Sequence, residues 1–161
     1  MTVTENRPAS VLGQRLLRRE DPALLTGEAK FTNDLNIPGA LHLAVLRSPY
    51  AHARITAVNL SGAIGMPGVI AAYSGADLAS LWAAPMPCAW PVTADMKNPA
   101  HYPLAVSKAA YAGDGVACVL ATSDAEARDA LDAIDVTYEP LMPVIDLNDA
   151  LSDAIVIHDE L

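Results

Sequence analysis

Between Gly115 and Val144 the chain reads GVACVLATSDAEARDALDAIDVTYEPLMPV, and no other stretch limits the fold as tightly. Val116 to Ala121 is a short apolar run with β-branched residues, bounded by Gly113 and Gly115. That is the pattern of a strand buried on both faces. Ser123 opens a helix. Its hydroxyl can accept the backbone N–H of Glu126, and Glu126 can reach back to the Ser123 N–H, which makes a capping box. Ala127, Ala130, Leu131 and Ile134 recur at i, i+3, i+4 and i+7, so they form one apolar stripe. Asp124, Arg128 and Asp132 fall on the other side at i, i+4 spacing, a solvated face. Val136 to Tyr138 gives a second strand, and Pro140 and Pro143 keep it from pairing as a central one. The expected unit is strand, helix, strand over 116–138. If its two strands share one sheet, the crossover is right-handed.

Around this unit the chain is a succession of short elements. Met1 to Leu12 reads as a flexible polar leader, and the domain proper as residues 13–161. Leu24-Leu25 before Gly27 suggests an apolar turn anchored on the core, and Glu28 to Thr32 a short strand. Strands are expected over Leu41 to Arg47, Ala53 to Leu60 and Val69 to Tyr73. In the second of these, Ile55, Ala57 and Asn59 should face one way and Thr56, Val58 and Leu60 the other. Brief helices are expected over Ser61 to Met66, Asp77 to Leu81 and Leu147 to Leu151, and a last strand over Ala154 to Ile157. Trp82 to Pro103 holds five of the twelve prolines, both tryptophans and Cys88, with no period. A stretch of roughly 20 aperiodic residues reads as a functional loop or a mobile insertion, one that could order against a partner.

Charge narrows the function classes. The net charge is −9, unevenly spread. Residues 1–113 hold nine bases and seven acids, whereas residues 114–161 hold twelve acids and Arg128 alone as a base. Such a chain repels phosphate backbones, so no nucleic-acid partner is expected. The acidic third reads as a solvated surface, with a dock for a basic partner as the alternative. No apolar run approaches the roughly 20 residues of a membrane span, and no export signal opens the sequence, so a cytoplasmic location is expected. Cys88 and Cys118 form no C-x-x-C pair; Cys118 sits in the apolar strand and reads as a buried thiol.

Five stretches carry a resemblance. RREDPALLTGEAKFTNDLNIPGALH (Arg18–His42) resembles the opening of the large subunits of the molybdenum hydroxylases, the family of xanthine dehydrogenase, aldehyde oxidase and aerobic carbon monoxide dehydrogenase. RSPYAHARI (Arg47–Ile55) is similar to the family's R-S-x-x-A-H-A-x-I segment. MPGVIAAYSGADL (Met66–Leu78) resembles its P-G-V strand and following turn. LAVSKAAYAGDGVACVLA (Leu104–Ala121) and VTYEPLMPVIDLNDAL (Val136–Leu151) match its next two segments, in order. The resemblance spans roughly residues 13–158. It implies an α+β fold, the α/β-hammerhead domain, with a mixed β-sheet around the 116–138 unit.

The resemblance also implies a division of labour. Molybdenum–pterin cofactor and catalytic residues belong to later domains of the large subunit; iron–sulfur clusters and FAD belong to other domains or subunits. Within this chain no catalytic, cofactor-binding or metal residue is expected, and the chain alone should be inactive. The four histidines, His42, His52, His101 and His158, lack metal-ligand spacing. His52 reads as a structural histidine bonded to backbone, or as a contact to a neighbouring domain or subunit. Arg47 reads as a clamp on a loop, with an interface role as runner-up. Arg47, His52 and Arg54 are therefore the candidate interface residues. Expected partners are the downstream molybdenum-binding domains and the iron–sulfur and flavin subunits. Two alternatives stand beside this: a free-standing, non-catalytic scaffold protein of the same fold, and a small hydrolase using Cys88 and His101.

Overall fold

The structure is a computed structural model that describes residues 12, 13, 15–87, 92–152 and 154–161. The expected leader lies almost wholly outside the described residues. The chain divides into two compact units, Met1–Gly39 and Ala40–Leu161.

The first unit contains helix α1, Asp21–Leu25, and a 3-10 turn, Thr32–Asp34. Pro22 suits the first turn of α1, where its missing N–H costs nothing. The expected strand over 28–32 does not form. Instead the Ala29 N–H folds back onto the Ala23 carbonyl at 2.9 Å, and Asp34 accepts the Phe31 N–H at 2.9 Å. Within this unit no residue of α1 is buried, and Leu25 is exposed.

The second unit carries the sheets. Its strands are β1 (His42–Arg47), β2 (Ala53–Asn59), β3 (Val69–Ser74), β4 (Lys108–Ala109), β5 (Gly115–Ala121) and β6 (Asp135–Pro140). Its helices are α2 (Ser61–Ile64), α3 (Gly75–Leu78), α4 (Asp124–Leu131) and α5 (Leu147–Ala150). Among the described residues the strands form two three-stranded antiparallel sheets, ordered β1-β5-β3 and β4-β2-β6. The α+β class stands. The mixed sheet does not, and neither does the crossover within one sheet. β1 and β3 occupy both edges of β5, so β6 has no free edge there and pairs with β2 instead.

α4 thus joins two sheets. Ser123 caps it, accepting the Glu126 N–H at 3.2 Å. The Glu126 carboxylate takes the hydroxyls of Thr122 and Ser123 at 2.6 and 2.8 Å, which hold its pKa below the ordinary glutamate value. Asp124 and Arg128 pair at 2.8 Å on the solvated side. Ala127 and Ala130 are fully buried. They face Ala44, Ala72, Ala117, Val119 and Ala121, with Ala63 of α2 closing the cluster. Alanine on both sides lets helix and sheet approach closely at interior density. The helix stops at Leu131, yet Ile134 is still buried in this cluster, because hydrogen bonds from Asp132, Ala133 and Ile134 back to residues 129–131 tighten the exit.

β2 departs from simple alternation. Its register shifts between Ile55 and Ala57, so Thr56 is an extra residue, and its hydroxyl donates to the Thr137 carbonyl at 3.0 Å. The bulge reverses the faces beyond it. Ala53, Ile55 and Val58 are covered and Ala57 is exposed, whereas alternation puts Ala57 with Ile55. Pro140 at the end of β6 is compatible with its edge position, as its composition demanded.

α3 starts with a reciprocal capping box: Ser74 accepts the Asp77 N–H, and Asp77 accepts the Ser74 N–H at 2.8 Å. Gly75 follows directly, and a Cβ there would overlap the Ala105 carbonyl. Gly75→Ala should therefore cost about 1–3 kcal/mol through forced displacement of backbone. Urea unfolding at constant m-value measures it; an unchanged midpoint would contradict this contact.

Candidate functional site

The end of β1 is locked to the loop before β5. Register shifts between Leu46 and Arg47, opposite Gly115. Beyond the shift the Ser48 N–H donates to the Asp114 carbonyl at 2.7 Å, and the Gly113 N–H donates to the Ser48 carbonyl at 2.8 Å. Arg47 adds Nη1 to the Gly113 carbonyl at 2.8 Å. Asp114 is buried and its carboxylate accepts the Ala110 N–H at 3.1 Å. Gly113, at φ +94°, permits this loop where a side chain would strain it. Arg47 reaches the loop through one hydrogen bond, from Nη1 alone, where a guanidinium can offer two.

His52 lies between β1 and β2 and is only 7% exposed. Its Nδ1 is 2.9 Å from the Met142 carbonyl. A carbonyl only accepts, so Nδ1 carries a proton and donates. Nε2 is buried without a partner among the described residues. The His52 carbonyl accepts the Leu141 N–H at 2.9 Å. One residue thus grips the chain on both sides of the 141–142 peptide, just past β6.

Arg54 stands on β2 between its register partners Lys108 and Glu139, and its side chain is exposed. It lines two adjoining clefts. One, of 430 Å³, is also lined by His101, Asp114, Lys108 and the acidic tail residues Asp159 and Glu160. The other, of 350 Å³, is shared with His52, Lys108 and Met142. The structure therefore brings His52 and Arg54 to one cleft and places Arg47 in neither.

Sequence reasoning missed Lys108. Its side chain, only 19% exposed, donates to the Ile157 carbonyl at 2.6 Å and to Asp159, with Glu160 at 3.6 Å. The strand expected over 154–157 is absent. That segment is held by this lysine instead of by a sheet ladder. The signal in the sequence was the sign change itself: Lys108 is the last base but one, standing ahead of an acidic third. Lys108 holds the Asp159 carboxyl below the usual aspartate value of 3.8.

The remaining candidates are dispersed. The His101 ring leans on Tyr111, with centroids 6.0 Å apart. Its carbonyl accepts the Met86 N–H at 2.7 Å, and Tyr102 stacks on Trp82 at 5.1 Å, so the two ends of the proline-rich loop are tied together. Cys88 lies outside the described residues. Cys118 is buried in β5, and burial pushes its thiol pKa up. Among the described residues no three His, Cys, Asp or Glu side chains are placed to hold a metal. None of the described helices is long and apolar enough to cross a membrane.

Two small antiparallel sheets bridged by one capped helix, with short helices at the strand ends, define an α+β hammerhead domain. The chain belongs to the aldehyde oxidase and xanthine dehydrogenase a/b hammerhead family, whose model matches residues 26–142. Among solved structures, quinoline 2-oxidoreductase from Pseudomonas putida 86 is similar at a TM-score of 0.82 and 38% identity, over 92% of this chain and 19% of that one. The gamma subunit of the 6-hydroxypseudooxynicotine dehydrogenase complex of Paenarthrobacter nicotinovorans is 38% identical over 91% of this chain. The carbon monoxide dehydrogenase large chain of Hydrogenophaga pseudoflava is 33% identical over 98% of it. In both, the chain spans 19% of the relative's length.

Two outcomes follow from this geometry. His52→Ala should destabilise by about 2–4 kcal/mol, from a lost buried hydrogen bond plus a cavity, while Arg54→Ala should stay within about 0.5 kcal/mol; thermal unfolding of both variants checks the contrast. The Lys108 tether should depend on pH with a definite sign. The folded-state pKa of Asp159 is depressed, so the tether is present above the ordinary aspartate range and is lost as pH falls through the lowered value. Proteolytic cleavage within residues 155–160 should be slow at pH 7, and Lys108→Met should speed it without altering β5.

Proposed function

We propose that this chain is the N-terminal hammerhead region of a molybdenum hydroxylase large subunit, and that it serves there as a structural and interface domain. The observation that carries this reading is one of proportion. Nearly all of this chain matches, and it matches about one-fifth of each large relative at up to 38% identity. Among the described residues no three His, Cys, Asp or Glu side chains are placed to hold a metal ion, and no reaction step is assigned to them. Cofactors and catalytic groups belong to later domains of the subunit and to iron–sulfur and flavin subunits, and the chain alone is inactive. The assembled enzyme works in the cytoplasm.

In this role rigidity matters more than chemistry. Arg47 and Asp114 fix the β1–β5 loop, His52 fixes the exit of β6, and Lys108 directs the segment beyond 154. Arg54, exposed beside them, offers a charge to a neighbouring domain or subunit.

The test is genetic and then biochemical. The reading frame of the natural gene should run on for hundreds of codons past Leu161; a stop directly after it would favour a free-standing scaffold protein. Co-expression with the later part and the small subunits should yield one complex by size exclusion, with hydroxylase activity absent from the 161-residue chain alone. Turnover by that chain unaided would overturn the proposal.

A further inference from the structure

The sheet β1-β5-β3 has two faces with different fates. Directly paired residues of an antiparallel sheet share a face. The rows Ala44–Val119–Ala72 and Leu46–Ala117–Ser74 lie toward α4 and form the core. The alternate rows, Leu43–Leu120–Ala71 and Val45–Cys118–Tyr73, lie on the other face. Among the described residues of the second unit, no element packs over the far end of that face. Leu43 is 59% exposed and Tyr73 39%, and Ile70, the extra residue at the β3 bulge, is 59% exposed. The end near Gly115 is closed, because the Ala105 N–H donates to the Gly115 carbonyl at 2.7 Å and Leu104 is buried there. Beyond that Leu43, Ile70 and Tyr73 stay exposed around the buried Cys118, and neither row contains a charged side chain.

Antiparallel sheets that face water are polar on that side. A contiguous aliphatic face marks an interaction site instead. We infer that this open face is a permanent docking surface for the later part of the same large-subunit polypeptide, which meets it with an uncharged aliphatic surface; the inference rests on the function proposed above. The relatives leave about four-fifths of their length beyond the segment matched here, so a partner on the same polypeptide is always at hand at high effective concentration. Apolar, charge-free contacts are the obligate kind, whereas separable subunits meet through more polar surfaces. A basic partner finds no acid on this face, although the chain as a whole carries −9.

The experiment co-expresses the 161-residue chain, tagged, with the later part as a separate polypeptide and with the small subunits. Leu43→Glu should reduce capture of the later part at least about tenfold, the loss expected of a central apolar contact. Ile70→Glu on β3, the other edge strand of the sheet, should do the same. Ala57→Glu, exposed on the other sheet, should capture normally. Because Leu43 and Ile70 are already largely exposed, the circular dichroism and Tm of the free variants should match the wild type. Capture of both variants at wild-type level overturns the inference, as does loss of only the iron–sulfur or flavin subunit. A wild-type dimer that Leu43→Glu converts to monomer also overturns it, by making the occupant a second copy. Failure of the wild-type chain to capture any partner would instead remove the function reading on which it stands.

Discussion

β5 is hydrogen-bonded along both edges, and the rest of the second unit is arranged by that fact. Its seven residues are buried but for Leu120. With β1 on one side and β3 on the other, every later strand must pair elsewhere. The chain therefore leaves β5 through a capped helix, turns tightly at 132–134 and builds a second sheet on β2. A strand with no free edge is also protected against pairing with foreign chains, which suits the centre of a scaffold.

Alanine does the packing. The core between α4 and the sheet is dominated by alanine, with Val119 and Ile134 in it and Leu131 at its border. Small side chains lose little rotamer entropy on burial, but they also bury little apolar area. Such a core gains its stability from close backbone approach, and it leaves the larger aliphatic residues, Leu43 and Ile70 among them, on the outside. The polar groups at the strand ends serve the same rigidity. Arg47 and His52 each spend a side chain on backbone from a distant part of the chain, and Asp114 spends one on the Ala110 N–H within its own loop. Nothing in their geometry resembles a proton relay or a metal cage.

Much of this was legible in the residues. The 116–121 strand, the Ser123 cap, the Ala127–Ala130 stripe and the Asp124–Arg128 pair follow from spacing alone, because each depends on neighbours within four residues. The hammerhead assignment followed from five motifs in order, and the family match over 26–142 bears it out. The bulge at Thr56, by contrast, has no local signal, since it exists only relative to the register of β6. Lys108 was missed for a similar reason: its partners lie about fifty residues away. A short apolar run at 154–157 resembles a strand, but what holds it is the Lys108 side chain from about fifty residues earlier.

The sequence by itself determined the local units, their caps and their periodic faces, because those energies are set within a turn or two of chain. It also determined the family, since motif order survives where individual residues change. Only the tertiary structure decided which strands share a sheet, which face of β1-β5-β3 stays bare, and that His52 and Lys108 hold the chain beyond β6. Those outcomes depend on edges already occupied and on contacts between residues far apart in the chain, and neither is written in any one stretch of residues.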